Sequence, residues 1–166
     1  QRKSAEDEIR TLAFYDHLTA LPNRRLLMER LRQALATARR ARQCGALMFI
    51  DLDDFKNIND RYGHHSGDLL LQEVATRLGG AVRETDTVAR LGGDEFVIML
   101  EHLHHVPDQA TAEARKIAGK ALEALAEPYA VDGQTCHTSA SIGIAMFSEQ
   151  DATVDALMRR ADAAMY

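Results

Sequence analysis

Two continuous apolar runs, ALMFI at 46–50 and FVIML at 96–100, constrain most strongly what this chain can fold into. Each run has the length of a buried β-strand and is far too short to cross a membrane as a helix. Carboxylates stand at one end of each run, with Asp51 directly after the first and Asp94 and Glu95 directly before the second. If the two strands are neighbours in a sheet, these three carboxylates are expected to converge.

The composition fits a single cytoplasmic domain. The chain has 166 residues, of which 46% are hydrophobic, enough to bury a core without disulfides. Cys44 and Cys136 lack metal-type spacing and are expected to be reduced thiols. The polar start QRKSAEDEIR has no signal-peptide pattern, which leaves open a membrane anchor upstream of residue 1 in the full-length protein. The net charge of −5 provides no basic field for nucleic acid.

The remaining periodicity predicts an α/β fold of the α+β sandwich type, with a central, mostly antiparallel sheet flanked by helices. Residues 1–15 are predicted as an N-terminal linker or signalling helix, and residues 16–166 as the main domain. Apolar spacing predicts further helices from the cap at 23 to about 42, at 55–63, 66–78 and 107–126, and from about 153 to the end. Strands are expected at 129–131 and 135–146, on either side of an Asp-Gly turn.

The acids in RLGGDEF need an electrostatic explanation, because neighbouring carboxylates repel one another. Gly92 and Gly93 permit a tight hairpin and a close approach of phosphate or base to the backbone. A hard divalent cation would neutralise Asp51, Asp94 and Glu95, and Mg²⁺ typically takes one or two carboxylates together with phosphate oxygens. The pattern therefore favours a metal-bound phosphate substrate.

Polar residues after the first apolar run extend this candidate site. FKNIND and GHHSGD supply Lys56, Asn59, His64 and Asp68 within about twenty residues of Asp51. Asn59 offers an amide donor and acceptor, and Asp68 a carboxylate for the N1 and N2 hydrogens of guanine, so the pair suits a guanine edge. Taken alone, each acid is more typical of an ordinary turn or strand end than of a binding site. Only their conjunction favours a nucleotide site.

Six ordered blocks resemble the GGDEF family of diguanylate cyclases over nearly the whole chain: DHLTALPNR at 16–24, DLDDFKNIND at 51–60, YGHHSGD at 62–68, RLGGDEF at 90–96, SASIGIA at 139–145 and ADAAMY at 161–166. The resemblance implies a fold similar to the palm of nucleotidyl cyclases and polymerases. It also implies an activity, the joining of two GTP molecules into cyclic dimeric GMP with release of pyrophosphate. Family members usually continue with a Lys and an Arg for the triphosphate, so the domain is expected to be truncated at Tyr166.

The resemblance assigns metal-binding and catalytic roles to individual residues. It implies two Mg²⁺ or Mn²⁺ ions per active site, held by Asp51 and Asp94 with the backbone carbonyl of Leu52 as a further ligand. Glu95 would assist as a ligand or a base. Lys56 would steady the charge on the phosphates.

Further residues are implied to bind the substrate. Asn59 and Asp68 would read the guanine base, with His64 close to the nucleotide. Gly92 and Gly93 would let the nucleotide lie close to the backbone.

A second site is implied by Arg83 and Asp86, whose Arg-x-x-Asp spacing resembles the product-inhibition site of the family. Arginine gives a planar fork for a guanine edge or phosphate, and the aspartate can accept hydrogen bonds from guanine. As bare spacing, this pattern is usually a surface pair. Arg90, just before the hairpin, is expected either to be structural or to pair with the acid cluster.

The reaction implies partners beyond GTP and cyclic dimeric GMP. Because two nucleotides must be joined, two such domains have to meet as a homodimer, and the helix before residue 16 can control that encounter for an upstream sensor domain. The alternative is a catalytically weak module that binds GTP or cyclic dimeric GMP and regulates an attached domain such as a phosphodiesterase. A third interpretation is an interaction domain with no nucleotide role.

Overall fold

The computed structural model describes residues 2–150 and 153–164. Its helices are α1 (Arg2–Phe14), α2 (Arg24–Ala41), α3 (Phe55–Tyr62), α4 (His64–Ala81), α5 (Pro107–Ala126) and α6 (Val154–Ala163). Its strands are β1 (Cys44–Leu52), β2 (Thr87–Gly92), β3 (Glu95–Leu103), β4 (Tyr129–Val131), β5 (Gln134–Cys136) and β6 (Ala140–Phe147). The last two residues of the ADAAMY block, Met165 and Tyr166, lie outside the described residues.

The central sheet has four strands in the order β2-β3-β1-β6, and every neighbouring pair is antiparallel. Helices α2 and α6 pack on one face of this sheet, and α4 and α5 pack on the other. The predicted α+β sandwich with a central antiparallel sheet flanked by helices is therefore confirmed.

Strand β1 lies in the middle of the sheet, between β3 and β6, which explains its unbroken apolar sequence. Met48 and Ile50 pack into the core on the α4–α5 side, whereas Leu47 packs into the core on the α2–α6 side. Successive side chains of a strand point to opposite faces, so a strand covered on both faces needs apolar residues at nearly every position. The two apolar runs of the sequence are thus adjacent central strands.

The predicted single strand at 135–146 is wrong, because the chain changes sheets within it. Residues 134–136 form β5, which pairs with β4 in a separate two-stranded sheet, whereas 140–147 form β6 beside β1. Between them, the Thr138 hydroxyl donates to the Asp53 carbonyl at 3.0 Å, and the Asp53 amide donates to the Ser139 carbonyl at 2.9 Å. These bonds fix the break against the end of β1.

Helix α1 leaves large apolar side chains in solvent. Ile9 and Leu12 are 67% and 75% exposed, so their apolar surface gains nothing from burial within this domain. The assignment of residues 1–15 as a linker or signalling helix stays a prediction. None of the described helices combines the length and the apolar content that a membrane span requires.

Candidate active site

The pairing of β1 with β3 places two acidic residues opposite each other. Asp51 is the register partner of Glu95, and cross-strand partners project from the same face of a sheet with Cβ atoms about 5 Å apart. Asp94 lies with Gly93 in the turn between β2 and β3, close enough to hydrogen-bond Asp51. The fold thus brings three carboxylates to one edge of the central sheet.

This crowding changes the protonation of Asp51. The pKa of Asp51 is raised to about 6, first by burial, then by the hydrogen bond and charge of Asp94, and then by the charges of Glu95 and Asp53. Within residues 2–150 and 153–164, no three His, Cys, Asp or Glu side chains are arranged to hold a metal ion by themselves. A cation at this edge would need other oxygen ligands, such as the carbonyl of Leu52 or a phosphate, and such mixed ligand sets are typical of Mg²⁺.

The hairpin beside the acids is a glycine turn with an open outer side. Gly92 and Gly93 have positive φ angles of 143° and 51°, which residues other than glycine rarely adopt. Apart from the two chain neighbours of each glycine, a Cβ added at either position would meet no atom of the described residues within 4 Å. Backbone conformation, rather than crowding, therefore requires these glycines, and a ligand can approach the turn closely.

Arg90 holds this hairpin in place and does not pair with the acid cluster. Its Nη1 donates to both carboxylate oxygens of Asp16 at 2.9 and 3.1 Å, and its Nε and Nη2 donate to the Gly93 carbonyl at 3.1 and 2.8 Å. Of the two roles expected for Arg90, the structural one is confirmed. Asp16 was not recognised from the sequence, although it opens the DHLTALPNR block.

Asp53 supports the loop that follows the acid-bearing end of β1. Its carboxylate accepts hydrogen bonds from Ser139 Oγ at 2.6 Å and Ser141 Oγ at 2.9 Å. These bonds tie the segment after Leu52 to the start of β6. The sequence signal for this contact was the pair of serines in the SASIGIA block, whose partner could not be read from spacing.

The predicted guanine-binding residues lie where α3 passes into α4. His64 and Asp68 are exposed in the first turns of α4, and Lys56 is exposed near the start of α3. Asn59 is half-buried on α3, and its side-chain amide lies against Gly67, the residue before Asp68. The corner therefore brings Asn59 next to the backbone that carries Asp68. Gly67 was not among the predicted site residues.

Arg83 and Asp86 form a closed pair just before β2, at the end of that strand opposite the glycine hairpin. The Asp86 side chain is buried and accepts from Arg83 Nε and Nη2 at 3.1 Å, from the Arg83 amide at 2.9 Å and from the Glu101 amide at 3.3 Å. The Asp86 carboxylate also raises the pKa of Arg83. Asp86 thus orients the half-exposed guanidinium of Arg83, which also donates to the Glu101 carbonyl at 2.6 Å.

The raised pKa of Asp51 predicts a pH-dependent stability for the metal-free protein. Between the ordinary value of 3.8 and about 6, the folded state holds a proton on Asp51 that the unfolded state has released. Stability contributed by this group is therefore complete below that window and falls as pH rises through it. We expect the stability of Asp51→Asn relative to the wild type to increase from pH 4 to pH 7, measured by thermal unfolding in the presence of a chelator. A melting-temperature difference that stays constant with pH would contradict this.

Comparison with known proteins identifies the family. Residues 13–166 match the family model described as diguanylate cyclase, GGDEF domain. The bifunctional diguanylate cyclase/cyclic di-GMP phosphodiesterase MucR of Pseudomonas aeruginosa is 48% identical over 162 residues, which cover 98% of this chain and 23% of MucR. The diguanylate cyclase TpbB of the same species is 45% identical over 155 residues, which cover 93% of this chain and 34% of TpbB. The chain thus spans about a quarter to a third of the length of these relatives.

A solved structure shares the fold described above. The isolated GGDEF domain of TpbB from Pseudomonas aeruginosa has a TM-score of 0.85 and 45% identity to this chain, covering 92% of this chain and 86% of that one. The family match includes the hairpin that carries the paired acids, because it extends over residues 13–166. By sequence and by architecture, this chain belongs to the GGDEF family of diguanylate cyclases.

Proposed function

We propose that this domain is a diguanylate cyclase that condenses two GTP molecules into cyclic dimeric GMP and releases two pyrophosphates. The observation that carries the proposal is the pairing of Asp51 with Glu95 beside Asp94 at an open glycine hairpin. Three neighbouring carboxylates are unfavourable unless positive charge shares their space. Membership of the GGDEF family of diguanylate cyclases supplies a nucleotide reaction, and cations that accompany a triphosphate substrate would neutralise these acids.

The oxygen ligands at this edge fit a hard divalent cation, and we propose two Mg²⁺ or Mn²⁺ ions per active site. Asp51, Asp94 and the Leu52 carbonyl would hold them, with Glu95 as a further ligand or a base. Bound ions would lower the pKa of the attacking 3′ hydroxyl and stabilise charge on the attacking and leaving oxygens. Lys56, exposed beyond the end of β1, would place a positive charge against the phosphates.

The corner of α3 and α4 supplies the proposed base recognition. Asn59 and Asp68 would contact the guanine edge, and His64 would lie beside the nucleotide. The support is their common location, with Asn59 packed against the residue that precedes Asp68. Gly92 and Gly93 would admit the nucleotide because their outer side is open.

Joining two nucleotides requires two domains, so we propose that the active form is a homodimer. Each protomer would present one GTP, and the two acid-bearing edges would face each other. The exposed Ile9 and Leu12 of α1 support a role for this helix in setting that encounter for an upstream sensor domain. A GTP-consuming domain would work in the cytoplasm, and a membrane anchor elsewhere in the full-length protein is compatible with this.

The proposal is tested by incubating the full-length protein with GTP and Mg²⁺ and measuring pyrophosphate and cyclic dimeric GMP. A cyclase produces both, in a ratio of two pyrophosphates to one cyclic product. Saturable GTP binding by a dimer without pyrophosphate would instead identify a regulatory module. The alternative of a regulatory module rests on the relative MucR, a bifunctional protein that combines diguanylate cyclase and cyclic di-GMP phosphodiesterase in one polypeptide. Failure of GTP with Mg²⁺ to raise the melting temperature would favour a pure interaction domain.

Product inhibition at Arg83 and Asp86 is a further part of the proposal. The half-exposed guanidinium of Arg83 is oriented by a buried carboxylate, which suits it to donate to a guanine edge or a phosphate of the product. We expect Arg83→Ala to raise the concentration of cyclic dimeric GMP needed for half-inhibition by about tenfold or more, since hydrogen bonds to charged groups contribute about 1.5–3 kcal/mol.

The control for this prediction is Lys120→Ala, which removes an exposed positive charge from α5. Inhibition curves of the two variants are compared after normalisation to the uninhibited rate of each. Equal half-inhibition concentrations for Arg83→Ala and the wild type would remove Arg83 from the inhibitory site. The Asp86 carboxylate keeps two backbone donors in Arg83→Ala, so the fold is expected to survive the change.

A further inference from the structure

The buried Gly67 faces Asn59 across the corner between α3 and α4. A Cβ added at Gly67 would overlap Asn59 Oδ1 and lie 3.0 Å from Asn59 Cγ and 3.4 Å from Phe55 Cζ. The overlap with Asn59 Oδ1 does not occur between real atoms, so one partner would have to move. Gly79, in the same helix, contrasts with this, because a methyl group there would meet no described atom within 4 Å beyond its own stretch of helix.

The backbone at this corner cannot easily give way. Gly63 joins the two helices with a φ of 92°, and its amide donates to the Asn59 carbonyl at 2.8 Å. The Gly67 amide in turn donates to the Gly63 carbonyl at 3.1 Å. Two successive hydrogen bonds therefore fix the distance between the backbones of residues 59 and 67. Strain introduced at Gly67 would be relieved by rotation of the Asn59 side chain.

We infer that Gly67 is a positioning residue that determines base specificity: the absence of a side chain there seats the Asn59 amide in the orientation that reads the purine. The inference rests on the proposed function, in which Asn59 and Asp68 contact guanine. An amide discriminates guanine from adenine only if its donor and acceptor point the correct way, because the two purines present different groups. Gly67 holds that orientation without touching the nucleotide itself.

This role differs from simple helix packing in what it predicts. A packing glycine would change stability when substituted and leave the ratio of guanine to adenine nucleotide binding unchanged. A glycine that seats Asn59 would change that ratio. Its effect would also depend on Asn59, since removal of the amide leaves nothing for the new methyl group to displace.

The first arm of the test measures the binding of GTP and of ATP to the full-length protein, for the wild type, Gly67→Ala, Asn59→Ala and the double variant. We expect Gly67→Ala to lower the preference for GTP over ATP by about tenfold, the value of roughly one lost hydrogen bond. In the Asn59→Ala background, Gly67→Ala should cause no further loss. Gly79→Ala is the matched control and should keep the wild-type preference. An unchanged preference in Gly67→Ala, or fully additive losses in the double variant, would overturn the inference.

The second arm measures melting temperatures without nucleotide, so its outcome does not depend on the proposed function. Alanine is the better helix former, so Gly79→Ala should raise the melting temperature, by up to about 2–4 °C. Gly67→Ala should lack this rise in the wild-type background and regain it when Asn59 is also alanine. If the wild type does not bind GTP, the proposed function is refuted, but the seating of Asn59 by Gly67 is not. An equal rise for Gly67→Ala and Gly79→Ala would refute the seating of Asn59.

Discussion

We expect Asp94→Asn to lower the rate of cyclic dimeric GMP formation by about a thousandfold or more while the domain stays folded. The change keeps the size of the side chain and removes one of the charges that would hold a cation beside Asp51 and Glu95. Metal ions stabilise the transition state of such reactions by several kcal/mol, and each 1.4 kcal/mol corresponds to a factor of ten in rate. The measurement is initial pyrophosphate release from GTP at saturating Mg²⁺.

Asp132→Asn is the matched control for this experiment. Asp132 also lies beside a glycine in a hairpin turn, but that turn joins β4 to β5, away from the acids of the central sheet. The control should therefore keep the wild-type rate. Asp94→Asn should also relieve repulsion on Asp51 and leave the metal-free protein at least as stable as the wild type at neutral pH. A rate above a tenth of the wild-type value would remove Asp94 from the metal-binding role.

Local signals in the sequence predicted much of the fold. The helix at 107–126 is found at Pro107–Ala126 because its apolar face and its proline at the first helical position both mark the boundaries. The central strands β1 and β3 were recognisable because a strand covered on both faces cannot alternate with polar residues. The convergence of Asp51, Asp94 and Glu95 was also predictable, because these acids directly follow or precede the two apolar runs.

The break between β5 and β6 was not predictable from periodicity. An apolar and small-residue run at 135–146 has the same pattern whether it stays in one sheet or passes into another. The interruption depends on hydrogen bonds from Thr138 and Ser139 to Asp53, which is more than eighty residues earlier in the chain. Only the tertiary structure brings these groups together.

The supporting contacts of the site were missed for the same reason. Gly67 seats Asn59 through the shape of a helix corner, and Arg90 meets an aspartate 74 residues away. Sequence blocks mark such residues as present but do not say which residue each one contacts. The candidate ligands could thus be named from the sequence, whereas the groups that orient them required coordinates.

The largest expected effect on stability belongs to the contact between Arg90 and Asp16. The two side chains are only 11% and 13% exposed, and the Arg90 fork also reaches the Gly93 carbonyl in the hairpin. Burial opposes the ionised form of Asp16, but hydrogen bonds from Thr19 and Arg90 outweigh it and lower the pKa of Asp16. Removing the arginine would leave a poorly solvated carboxylate without its cation. The loop after α1 would also lose its connection to the acid-bearing turn.

We expect Arg90→Ala to destabilise the domain by about 3 kcal/mol, or about 6–12 °C in melting temperature, as for other broken buried ion pairs. Arg90→Lys should recover only part of this, because an ammonium group cannot reproduce the planar fork. The control is Arg32→Ala, whose partner Glu29 is exposed and whose loss should change stability by less than about 1 kcal/mol.

The same contact predicts a direction for the pH dependence and a link to catalysis. Because the pKa of Asp16 is lowered in the folded state, its contribution is present at neutral pH and is lost as pH falls through that lowered pKa. The difference in stability between the wild type and Arg90→Ala should therefore shrink on acidification. At temperatures where Arg90→Ala is still folded, cyclase turnover should fall more than GTP binding, since the hairpin that carries Asp94 is no longer held. If Arg90→Ala loses no more stability than Arg32→Ala, the contact of Arg90 with Asp16 and the Gly93 carbonyl does not anchor the hairpin.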